Sequence, residues 1–76
     1  MSSTSTAISP ESIVTPQSLH KEAAAQLEKA IKYHRQAALF HDAGDASQAE
    51  NHASLAYKHT EQGLAASGRA LNVLLW

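Results

Sequence analysis

Small residues recur every seven positions in two series, Ala23, Ala30, Ala37 and then Ala49, Ala56, Gly63, Ala70. Seven residues are close to two turns of α-helix, so each series forms one column along a helix. A column without side-chain bulk lets a second backbone approach closely, and two such columns separated by a break specify two helices in tight contact. Gly44 supplies the break, since it suits the left-handed position after a helix end. Asp45-Ala46-Ser47-Gln48 reads as the capping box of the next helix. Thr15 before Pro16 fits an N-cap with proline at the first helical position. The expected fold is therefore all-α, an antiparallel two-helix hairpin. Its first helix covers about 16–43, its turn 44–45 and its second helix about 46–74. Folding back about Gly44 is expected to set Ala37 against Ala56, Ala30 against Gly63 and Ala23 against Ala70.

On one side of this seam the sequence reading puts an apolar flank, Leu19, Tyr33 and Phe40 from helix one with Tyr57, Leu64 and Leu71 from helix two. Only 5% of the 76 residues are aromatic and fifteen are alanine, so bulky side chains for a monomeric core are scarce. A hairpin has no further layer to cover such a flank, and chains of this size bury only about 60% of their extended surface. A second copy of the same surface would cover it. The expected state is a homodimer in the form of a four-helix bundle, with Leu19, Tyr33, Phe40, Tyr57, Leu64, Leu71, Leu74 and Trp76 at the interface. A protein partner on the same surface is the related possibility.

The other flank is expected to carry Leu27, His34 and His41 from helix one and His52, His59 and Ala66 from helix two. The seam register then aligns His41 with His52 and His34 with His59, two histidine rungs. Neutral imidazole is the commonest nitrogen ligand, so His34, His41, His52 and His59 form a candidate site for zinc, copper or nickel. Two ligands per rung bind weakly, and a third would have to come from Asp42, Asp45, Glu50 or a second copy. The competing reading leaves these side chains as half-exposed flank residues with no cofactor.

Six Lys and Arg against seven Asp and Glu give a net charge of −1, without a basic face for nucleic acid. Cysteine is absent, which removes thiolate chemistry and disulfides. There is no glycine-rich phosphate loop and no nucleophile elbow, and no Glu is followed three residues later by His as a di-iron bundle requires. The chain is read as non-enzymatic and, lacking a signal peptide or apolar span in its sequence, as cytoplasmic. Residues 1–15, rich in Ser and Thr, are expected to form a flexible arm.

The run Tyr33-His34-Arg35-Gln36-Ala37-Ala38, then Phe40-His41-Asp42-Ala43-Gly44-Asp45, then Gln48-Ala49-Glu50-Asn51-His52-Ala53 and Ala56 resembles short, uncharacterised bacterial Ala/His-rich hairpin proteins. The resemblance covers about residues 20–60 and implies a helical hairpin. Tyr33 and Phe40 depart from it, standing where the first histidine of a doublet is expected. Tyr33, Ala37, Phe40, Gly44-Asp45, Ala49 and Ala56 are also similar in spacing to a single tetratricopeptide unit, although one unit forms no solenoid. From residues and resemblance together, the functional expectation is a small helical assembly or protein-interaction module, with histidine-based transition-metal binding or buffering as the alternative.

Overall fold

A computed structural model describes residues 14–74. Two helices pack against each other in it, α1 (Pro16–Asp42) and α2 (Ala46–Leu74). The expected arm falls, up to residue 13, outside the described residues. So do the Leu74 side chain and Trp76.

Three helix ends, both ends of α1 and the start of α2, are closed by devices written into the local sequence. The Thr15 hydroxyl accepts from the Ser18 backbone N–H at 3.0 Å, and the Ser18 hydroxyl accepts from the Thr15 N–H at 3.0 Å, a reciprocal box just ahead of Pro16. At the other end of α1, Gly44 takes φ +80°. Its N–H donates to the His41 carbonyl at 3.0 Å, and the Asp45 N–H donates to the Phe40 carbonyl at 2.8 Å. That pair of bonds is a Schellman closure. Asp45 then caps α2 by accepting from the Gln48 N–H at 3.1 Å. The expected return bond from the Gln48 side chain has no role here, because the Asp45 N–H is already committed to Phe40. One residue thus ends α1 and starts α2, which keeps the turn short and the helices antiparallel.

The core between them is the small-residue seam. Ala23, Ala30, Ala37, Ala49, Ala56, Gly63 and Ala70 are all buried, and Ala49, Ala56 and Ala70 have no exposed surface. Leu19 and Ala66 complete the buried set, and among the described residues no large side chain is fully enclosed. The register differs from the expected one. Gly63 lies against the Leu27 side chain and the Ala23 carbonyl rather than against Ala30, and a Cβ placed on it would come within 2.9 Å of Leu27 Cγ and Cδ2. Gly63 is therefore tolerated in mid-helix because Leu27 occupies the space that a methyl group would need.

The other two glycines give opposite expectations. Gly68 is exposed, with nothing within 4 Å of an added Cβ, so Gly68→Ala is expected to stabilise the helix by about 1 kcal/mol. Gly44→Ala forces a Cβ into the left-handed region and is expected to cost about 1–2 kcal/mol. Thermal melts followed at 222 nm should move in opposite directions for the two variants.

Candidate functional site

The hairpin is only two helices wide, so it presents two broad faces, one on each side of the seam. Antiparallel packing reverses the sense in which residue number turns about the axis, so columns with equal offset from the seam share a face. The α1 column three residues beyond each seam position is Leu19, Gln26, Tyr33 and Phe40, and its counterpart on α2 is His52, His59 and Ala66. Side-chain contacts follow this rule. The Tyr33 and His59 rings stack at 5.6 Å and 10°, while His52 lies 4.9 Å from Phe40 and 6.0 Å from Tyr33 between ring centroids.

These contacts correct the expected flanks. Tyr33 and Phe40 share a face with His52 and His59, not with Tyr57, Leu64 and Leu71. Leu19, expected at an intermolecular interface, is 4% exposed and belongs to the hairpin's own core. His34 and His41 fall in the same column as Leu27, across the seam from His59 and His52, and both are exposed. The two expected histidine rungs are thereby split between the faces.

On the histidine face both imidazoles are oriented by oxygen acceptors. His59 Nδ1 lies 2.6 Å from Gln26 Oε1, and His52 Nδ1 lies 2.8 Å from the Gln48 carbonyl one turn earlier. An amide or carbonyl oxygen only accepts, so in both contacts Nδ1 is the donor. Gln26 was missed in the sequence reading, although it stands in the heptad column of Tyr33 and Phe40. A shallow cleft of about 300 Å³ opens where the helix ends meet, lined by Val14, Ser18, Leu19, Glu22 and Arg69.

Among the described residues no group of three or more His, Cys, Asp or Glu side chains is placed to hold a metal ion. His52 and His59 are two turns apart on one helix, about 10.5 Å along the axis, too far to share an ion. Calorimetric titration of chelator-treated protein with zinc, copper or nickel is accordingly expected to show no binding tighter than about 1 μM. A tighter isotherm lost on changing His34 and His59 to alanine would restore the rung arrangement.

The opposite face holds most of the exposed large apolar side chains. It carries the α1 columns His20, Leu27, His34, His41 and Ala24, Ile31, Ala38, and the α2 columns Ala53, Thr60, Ser67 and Glu50, Tyr57, Leu64, Leu71. Leu27 and Ile31 are 40% and 50% exposed, and Tyr57, Leu64 and Leu71 are 65%, 71% and 62% exposed. Of the large apolar side chains left open among the described residues, only Val14, Leu39 and Leu55 lie elsewhere. No described helix is long and apolar enough to cross a membrane. No family model matches the chain, and neither a curated protein nor a solved structure is significantly similar to it.

Proposed function

We propose that the chain is a small non-enzymatic assembly module that pairs with a second copy through its apolar broad face, forming a four-helix bundle. The observation that carries this reading is the gathering of Leu27, Ile31, Tyr57, Leu64 and Leu71 on one side of a hairpin whose own core is almost entirely alanine. Burying methyl groups yields far less hydrophobic stabilisation than burying leucine-sized side chains, which contribute about 1.5–3 kcal/mol each. The hairpin therefore leaves these five large apolar side chains in water, and a partner surface is the natural place for them.

The size of the face supports the same reading. Helices of 27 and 29 residues lying side by side present a strip about 40 Å long and roughly 20 Å wide. That is about 800 Å², the area each partner contributes to a standard stable interface. Sedimentation of the purified chain tests the proposal. Wild type is expected to run as a dimer, twice the 8.1 kDa chain mass, and Leu64→Glu as a monomer. A wild-type monomer at every accessible concentration would overturn it.

A further inference from the structure

Beside the apolar face, the outer rim of α1 carries Lys21, Glu28, Arg35 and Asp42, all exposed, one every seven residues and alternating in sign. Neighbours in this column stand about 10.5 Å apart, too far to pair with one another along their own helix. Next to them, Ala24, Leu27, Ile31, His34, Ala38 and His41 follow the alternating three- and four-residue spacing of a helix-packing seam. The charged column therefore stands where interhelical ion pairs choose partner and orientation.

Read from opposite ends, the column is its own complement. Turned antiparallel, Lys21 meets Asp42 and Glu28 meets Arg35, and the same two pairs recur by symmetry. We infer that the second copy docks α1 against α1 in antiparallel orientation, with the two-fold axis passing close to Ile31 and Lys32. This rests on the proposal that the apolar face is the self-association surface, and it adds which helices meet and in what register. The pairs across the axis are Lys21 with the other copy's Asp42 and Glu28 with the other copy's Arg35.

Within one hairpin Tyr33 lies between His52 and His59, so the alternative stacking, α1 over the other copy's α2, brings Glu28 about level with Glu61. That opposes like charges on the same rim and leaves Lys21 beside Gly68. The two arrangements thus give opposite signs for a single charge reversal.

The experiment uses the full chain at low ionic strength, where rim charges are least screened. Wild type, Glu28→Arg, Arg35→Glu, the double variant, and an equimolar mixture of the two single variants are compared by sedimentation and native mass spectrometry. Each single variant is expected to dimerise roughly tenfold more weakly than wild type. The double variant should recover, and the two single variants mixed should form a heterodimer in preference to either homodimer. Circular dichroism is to confirm that each variant keeps its helices. If Glu28→Arg tightens the dimer, α1 lies on α2 and the inference is overturned. If wild type dimerises but no single variant changes its affinity, the antiparallel register is overturned while the apolar-face proposal stands. A monomeric wild type overturns both.

Discussion

Replacing Ala56 by leucine is expected to unfold the hairpin. Ala56 has no exposed surface and lies in the middle of the seam, with Ala49 and Ala70 equally enclosed on either side. Three added carbon atoms have no open space to enter beside a residue without accessible surface. The helices must separate, and separation breaks the alanine contacts along the seam together. Overpacking in an adaptable core costs about 1–3 kcal/mol, and this core is less adaptable than most. A single core in a chain below about 70–80 residues rarely supplies more than about 3–5 kcal/mol, so the variant is expected to lose most of its ellipticity at 222 nm. Ala65→Leu, on the exposed outer side of α2, adds the same bulk and should keep the wild-type melt. Equal melts for the two variants would show that the seam is not what holds the helices together.

The second large effect concerns assembly. Leu64 is 71% exposed on the apolar face and Leu39 is 67% exposed on the outer edge of α1, so the two are matched in exposure and differ in where they point. Leu64→Glu removes a buried leucine from each half of the proposed dimer and places a carboxylate there instead. Losing two such burials costs about 3–6 kcal/mol, roughly two to four orders of magnitude in Kd. Desolvating the carboxylates adds to that. Leu39→Glu should leave association and the melting midpoint unchanged, whereas Leu64→Glu, whose side chain is not part of the seam, should stay helical at low temperature and melt lower without the second copy. Loss of the dimer in both, or in neither, would separate exposure from position as the cause and contradict the proposed surface.

The seam was legible in the sequence because spacing by seven is a local, one-dimensional signal that bulk alone reveals. Thr15-Pro16 and Gly44 were legible for the same reason, each being a backbone requirement met by one residue type. Ser18 was not, because a serine at that position reads as helix surface until its hydroxyl is seen returning to the Thr15 N–H. The misassigned flanks have a different origin. Which columns share a face depends on how two helices rotate relative to each other, and reversing one chain reverses its sense of rotation. Tyr57, Leu64 and Leu71 lie one residue beyond the seam positions and Tyr33 and Phe40 three beyond, so equal hydrophobicity suggested a shared flank where antiparallel geometry gives opposite faces. The histidines were misaligned by the same step. His34 pairs numerically with His59, yet it is Tyr33, one residue earlier, whose ring stacks on that imidazole. For the candidate interface, Tyr57, Leu64 and Leu71 stay on the surface proposed to assemble, and Leu27 and Ile31 take the places given to Leu19, Tyr33 and Phe40.

On the proposed assembly, a hairpin with an alanine core obtains the rest of its stability from a second copy. Thermal unfolding of wild type over a hundredfold range of protein concentration tests it most directly, because only a folded state stabilised by association has a midpoint that depends on concentration. The midpoint is expected to rise by roughly 5–10 °C between about 2 μM and about 200 μM. A fully helical chain whose midpoint is the same at both concentrations would contradict it.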